Sequence, residues 1–251
     1  MTQYFFGAAI LAVLSAILCW LLRRRTNALP VIRIDKTGRP PAADANASAW
    51  TSVKRLEKLF SRLSRKKYNT IFPSELRDVQ TPPRSILLLF RGGYQSCLTD
   101  VLPLLEKYRF KAAVTLPVEL IGQYDAWEKD GPWQNLLTKQ QINDIKKSGR
   151  VEFVADTPDG NPLPQDEEQI HWALTESKER LKRLYGLDIR AVYLPGENPA
   201  STLHTAAQEY RIVFTGKKGN NPRPLKECVL KVLPLAQFYT LEGLLRRIRR
   251  K

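Results

Sequence analysis

Acidic residues are what this chain most lacks: 25 Asp and Glu stand against 40 Lys and Arg, a formal charge of +15. The shortfall is local. Residues 23–67 hold 13 basic side chains against 3 acidic ones, and the tail 246–251 adds five basic and no acidic ones. Between 68 and 245 the two signs balance at 22 each, so the body is neutral and any partner chosen by charge must meet a flank. Cysteine is scarce too. Cys19, Cys97 and Cys228 are too few and too scattered for a disulfide framework, and no C-x-x-C pair suggests zinc. Cys19 lies in an apolar run, while Cys97 and Cys228 read as ordinary buried residues. The two histidines, His171 and His204, fall in no ligand motif and read as structural or surface residues. GKKGNNP at 216–222 lacks the spacing and the Ser/Thr of a P-loop.

What is present begins with an uncharged apolar run, Tyr4–Leu22, about the length needed to cross a bilayer. Tyr4, Phe5, Phe6 and Trp20 suit its two interfaces, and Arg23–Arg25 follow at once. No basic residue precedes the run and no small-x-small site follows it, so an uncleaved single-pass anchor is expected over residues 1–25. Basic residues only on the C-terminal side put the remainder in the cytoplasm, at an inner membrane. Residues 26–47, with Pro30, Gly38, Pro40 and Pro41, read as a linker holding a short extended piece at Val31–Ile34. From Ser48 to Lys67, Trp50, Val53, Leu56, Leu59, Phe60 and Leu63 recur at helical spacing among basic residues. Such a basic amphipathic helix either lies on an anionic leaflet or packs on the folded domain with a solvated basic face.

The stretch 85–117 organises the rest. Ile86–Phe90 is a short unbroken apolar run, followed by Gly92-Gly93, an amphipathic helix and a second strand entered at Phe110. That order is typical of a parallel strand covered on both faces, with sites at its C-terminal mouth, here Arg91 to Tyr94. Further on, Trp127–Trp133 reads as an acidic loop and Trp133–Ser148 as an amphipathic helix stopped by Gly149. A strand follows at Val151, then a long helix over 167–186 capped by Gly186. Strands at 190–195, 211–216 and 229–233 alternate with helices at 202–210 and 240–250.

The stretch 85–117 resembles the opening motif of polysaccharide deacetylases of the NodB-homology group, strand, F-D-D-G-Y-x-S, helix, strand. Phe90, Gly93, Tyr94 and Ser96 match, as do Leu102, Pro103, Leu105, Lys107, Tyr108 and Phe110. VEFVADTPDGN at 151–161 resembles the second motif, RAVYLPGE at 190–197 the third, and RIVFTG the strand after it. The resemblance runs from about 85 to 245 and implies an α/β fold, a distorted (β/α) barrel of the polysaccharide deacetylase type. Here it is preceded by one transmembrane helix and the basic amphipathic helix with its connector (48–84), and followed by the basic tail.

The resemblance also implies a general base, three ligands for a divalent metal such as zinc, and a glycan substrate. Arg91 stands at the base position, Gly92 at the Asp-ligand position, and Asp156 and Asn161 (Gly160 at the shorter spacing) at the two histidine positions. A guanidinium stays protonated at working pH and cannot act as base. Glycine, one carboxylate and one amide do not make a zinc site. Ser96 and Cys97 have no histidine to activate them as nucleophiles. No metal cofactor is therefore expected. Arg91 is expected either to pair with Asp156 in place of the dication or to point to solvent from a turn. Tyr94, Tyr193 and Pro195 are the expected glycan contacts.

Three functions follow. One is a non-catalytic, membrane-anchored relative binding a glycan or polysaccharide-synthesis proteins. Another is an active carbohydrate deacetylase with a rebuilt site using Asp156 and Asp159; for the chain as a whole the family resemblance implies an extracytoplasmic location, against the charge rule. The third is a scaffold whose basic flanks bind anionic lipid or nucleic acid, with lipid favoured by the anchor.

Overall fold

The computed structural model describes residues 28–249 apart from 43, 45, 46, 77–81, 130, 131, 224, 226 and 227. The expected anchor and Arg23–Arg25 lie outside the described residues, as do Arg250 and Lys251. Among the described residues no helix is long and apolar enough to cross a membrane.

Twelve strands are described: β1 (Ala28–Leu29), β2 (Val31–Ile34), β3 (Lys36–Thr37), β4 (Trp50–Thr51), β5 (Asn69–Thr70) and β6 (Ser85–Phe90), then β7 (Ala112–Leu116), β8 (Val151–Ala155), β9 (Ala191–Leu194), β10 (Ile212–Lys218), β11 (Asn221–Pro222) and β12 (Val229–Pro234). The helices are α1 (Val53–Arg65), α2 (Leu102–Tyr108), α3 (Lys139–Lys147), α4 (Glu167–Tyr185), α5 (Ala200–Glu209) and α6 (Leu241–Arg249). Seven strands form a parallel sheet in the order β2, β12, β10, β9, β8, β7, β6, and β6 pairs back onto β2 to close a barrel. β5 adds to the early part of β6. The pairings are parallel, so the helices cross on the outside and run against the strands.

Alternation along each strand divides the core into two layers. Leu87, Leu89, Val154, Tyr193, Phe214 and Val232 fill the barrel interior. Ile86, Leu88, Phe90, Val114, Phe153 and Val192 face outward against the helices. Unbroken apolar runs such as Ile86–Phe90 arise because both sides of the strand are covered.

Three expectations are corrected. The extended piece expected at Val31–Ile34 is there, but not within a linker: β2 is a wall of the barrel, with Val31 in the interior and Ile32 and Ile34 against the helices. Pro30 sits just ahead of this strand, where its missing N–H costs little, and its carbonyl accepts from Leu87. The helix expected from Ser48 starts at Val53, because the Ser52 side chain caps it by accepting from the Arg55 N–H, and Trp50–Thr51 pair with Lys36–Thr37. The helix expected from Trp133 starts at Lys139. Thr138 and Gln141 form its capping box, while Leu136 and Leu137 are buried in extended chain before it. The 167–186 helix agrees, with Gly186 in the left-handed conformation at its end.

The apolar side of α1 packs on the folded domain. Leu56, Leu59, Phe60 and Leu63 are fully buried against the barrel. Each contributes roughly 1.5–3 kcal/mol of burial. Laying that face on a bilayer would forfeit this, so only the basic face of α1 is open to a partner.

Candidate functional site

The same alternation that builds the interior decides what stands at the barrel mouth. Continuing the inward parity of Val31, Leu89, Ala113, Val154 and Ala191 brings Arg33, Arg91, Thr115, Asp156 and Tyr193 to the C-terminal ends of their strands. Arg91 is held by its backbone N–H on the Ile34 carbonyl, and its Nη2 donates to the Gly160 carbonyl at 2.9 Å. Its guanidinium carbon lies 5.6 Å from the Trp127 ring centre and 5.8 Å from that of Tyr193. Both distances are within cation–π range. Its Nε is sealed from solvent and makes no hydrogen bond.

Asp156 is 1% exposed. Its Oδ2 accepts from Thr115 Oγ1 at 2.6 Å and its Oδ1 from the Thr157 N–H at 3.0 Å, while Thr115 Oγ1 accepts from the Gly92 N–H at 2.8 Å. Burial pushes the Asp156 carboxyl above the usual range, and the Arg91 charge and these hydrogen bonds only partly offset it. For Arg91, burial alone would lower the pKa, but attraction from Asp156, Tyr193 and Asp35 outweighs it and the net direction is upward.

Both expectations for Arg91 are thereby corrected. It forms no ion pair with Asp156 or any other carboxylate among the described residues, nor does it project into solvent. It acts on Asp156 only across space, because the Gly160 carbonyl and two aromatic faces fix its guanidinium. Asn161 is exposed and hydrogen-bonds Asp159, to Oδ2 through its side chain at 2.8 Å and to Oδ1 through its N–H at 3.0 Å. It belongs to a surface turn and not to the mouth.

The three expected glycan contacts are buried and engaged. Tyr94 donates to Asp125 at 3.2 Å, and Tyr193 accepts from Arg33 Nη1 at 2.9 Å. Burial raises the pKa of both phenols, so they stay protonated. Pro195 is covered as well. Cys97, beside the motif, is buried with its thiol pushed up to about 12, which leaves no reactive thiolate.

Sequence reasoning passed over Arg33, Asp35, Lys36, Thr115 and Asp125. Arg33 pairs with Asp35 at 3.0 Å. Buried Lys36 pairs with Asp125 at 3.0 Å and Glu128 at 3.5 Å. The alternating Val31-Ile32-Arg33-Ile34-Asp35 was the available signal, hidden by the prolines around it. Arg33, Asp35, Lys36, Arg91 and Glu128 border a cleft of about 330 Å³ at the mouth.

A divalent ion of the kind the resemblance implies does not fit these residues. Asp156 has both oxygens occupied by hydrogen bonds. Gly92 (φ +90°) faces the Tyr94 and Trp127 rings and Gly160 (φ +77°) faces Trp127: a Cβ on Gly92 would clash with Tyr94 Cε2 at 2.7 Å and lie 3.2 Å from Trp127 Cζ2, and one on Gly160 would overlap the indole. The Trp127 indole at Gly160, and the Tyr94 and Trp127 rings at Gly92, fill the space that side chains at these two positions would need. Among the described residues no group of three or more His, Cys, Asp or Glu could hold a metal.

With this geometry fixed, comparison with known proteins is informative. Residues 78–214 match the sequence profile described as Polysaccharide deacetylase. Among solved structures, a Streptococcus pyogenes deacetylase, PplD, in complex with acetate is 17% identical, with a TM-score of 0.74 over 88% of this chain and 98% of that one. IcaB from Ammonifex degensii is 16% identical, with a TM-score of 0.74 over 89% of this chain and 98% of that one. A polysaccharide deacetylase from Bacillus cereus gives the same TM-score at 16% identity, over 88% of this chain and 69% of that one. At these identities the likeness concerns the fold. No curated protein matches.

Proposed function

This chain belongs to the polysaccharide deacetylase family, and from that premise we propose that it is a non-catalytic member that binds a glycan at its barrel mouth. The observation that carries this is Trp127, whose indole occupies the space facing Gly160 and, with the Tyr94 ring, the space facing Gly92. Metal-dependent deacetylation needs a metal to polarise the acetyl carbonyl and a carboxylate to activate water. Arg91 replaces that base with a fixed cation, and Asp156 is a buried, hydrogen-bonded carboxylate whose raised pKa reflects burial.

Glycan binding is supported by the loop that carries the plug. Tyr124 and Trp133 stack at 4.6 Å with an interplanar angle of 15°, and both stay exposed, at 42% and 56%. Trp133 donates to the carbonyl of Glu128, which borders the mouth cleft. Flat exposed aromatic faces beside a polar cleft suit the apolar face of a sugar ring. The proposal extends to a single-pass membrane protein with its barrel in the cytoplasm, which rests on Tyr4–Leu22 and Arg23–Arg25 in the sequence.

The test pairs metal analysis of purified protein with assays on oligomers of N-acetylated amino sugars. The expected result is no chelator-sensitive release of acetate, together with saturable binding that is lost in Tyr124→Ala and Trp133→Ala. Stoichiometric metal with hydrolysis abolished by chelator would overturn the proposal in favour of a rebuilt active site.

A further inference from the structure

We propose that the N-terminal face of the barrel, opposite the candidate site, docks on the phosphate headgroups of an anionic membrane. The helices run against the strands, so their C-terminal ends gather on this face. The apolar sides of α1 and α6 share one core through Leu56, Leu59, Leu244 and Leu245. That packing sets Arg62, Arg65 and Lys66 beside Arg246 around a cleft of about 360 Å³, in which Glu242 is the one acid. Two contacts fix the level of this cleft. Arg84, just before β6, donates to the Lys66 carbonyl, and Asn220, next to the β11 strand that pairs with β1, donates to the Arg247 carbonyl.

Basic residues at helix C-termini also complement the helix dipole, which accounts for part of the pattern. It does not account for Arg84, Arg150, Arg190 and Arg211, each standing directly ahead of β6, β8, β9 or β10 on the same face. Of these four, Arg190 alone is in an ion pair among the described residues, with Asp188.

The position of the chain beyond the described residues selects lipid as the occupant. β1 opens this face at Ala28, six residues after Leu22, the end of the 19-residue apolar run Tyr4–Leu22, with Arg23–Arg25 between them. Six residues reach at most about 22 Å. Screening lengths at physiological salt are about 8 Å. A spanning run would therefore tether the basic face beside the headgroups, free to settle within that screening length, and turn the mouth cleft away from them. This inference is independent of whether the mouth binds a glycan.

The experiment uses the full chain in nanodiscs of phosphatidylcholine alone or mixed with phosphatidylglycerol, and reads lysine acetylation by mass spectrometry. Exposed Lys66 and Lys67 report on the proposed face, and exposed Lys129 in the loop after β7 and exposed Lys217 near the C-terminal end of β10 report on the opposite one. Lys66 and Lys67 are expected to react about tenfold more slowly in the anionic discs, with Lys129 and Lys217 unchanged. The slowing should vanish in about 0.5 M salt. It should also vanish in the triple variant Arg62→Glu, Arg65→Glu, Arg246→Glu; should that variant fail to fold, the salt series on the native protein decides alone. Equal rates for Lys66 and Lys67 in both discs, or slowing at Lys129 and Lys217 instead, would overturn the proposal. So would stronger protection by a single-stranded RNA oligomer than by anionic discs at the same salt.

Discussion

If the Trp127 indole fills the former ligand space, a single methyl group added opposite it should be costly, and the cost should depend on the indole. In Gly160→Ala the new Cβ overlaps Trp127 and comes within 2.8 Å of its Cδ2 and Cζ3. Two effects add. The left-handed backbone, φ +77°, costs an L-residue about 1–2 kcal/mol. Overpacking against the ring costs about 1–3 kcal/mol more. In a Trp127→Ala background the second effect disappears, and the methyl group should cost only about 1–2 kcal/mol. Trp127→Ala should itself cost less than the roughly 3–5 kcal/mol of a fully buried aromatic, since the residue is only half-buried and its Nε1 forfeits no hydrogen bond. Urea unfolding of the full chain in mild detergent, followed by circular dichroism, gives the four stabilities of the cycle. A coupling of about 1–3 kcal/mol is expected. Strict additivity within about 0.5 kcal/mol would mean that the indole does not occupy this space.

Three further outcomes are expected. Lys36→Met should leave Asp125, with no exposure, without its cation and cost about 3–5 kcal/mol; a loss below about 1 kcal/mol would refute a buried pair. Because burial raises the Asp156 pKa, the folded state binds its proton more tightly than the unfolded state does. Its contribution is therefore greatest below the unfolded carboxylate range and is lost as pH rises through the folded value, so stability against pH should flatten in Asp156→Asn; an unchanged slope would refute this. Cys97, with its thiol pushed up to about 12, should resist alkylation at neutral pH until the domain unfolds, and rapid labelling of the native protein would contradict its burial.

Sequence revealed the barrel best where strands are covered on both sides. Ser85–Phe90 announces itself as an uninterrupted apolar run because its two faces meet the interior and the helices. The extended piece at Val31–Ile34 was legible, but its place in the barrel wall was not, because it has only four residues, one of them Arg33, among prolines that elsewhere mark linkers. The residues that come together at the mouth were legible in part, since the resemblance singled out Arg91, at its base position, with Gly92 and Asp156, at two of its ligand positions. The arrangement was not. That Arg91 would bond the Gly160 carbonyl, or that a tryptophan from a loop beyond β7 would lie against Gly92, depends on how distant segments converge. The inward parity of residues 31, 33 and 35 was the one local clue to the second arginine.

The strand that closes the barrel carries a consequence for how the protein is made. β2 pairs with β6 at four positions, but the seam joining it to β12 has two, Ile32 with Leu233 and Arg33 with Pro234. A chain leaving the ribosome holds one edge of that seam from the start and waits for almost all of its synthesis before the other edge exists. Meanwhile the wall stands open, and Arg33 faces water instead of Tyr193. The last stretch translated therefore turns an open curved sheet into a sealed cylinder, and a message cut short before β12 would yield a half-built wall for quality-control proteases to clear.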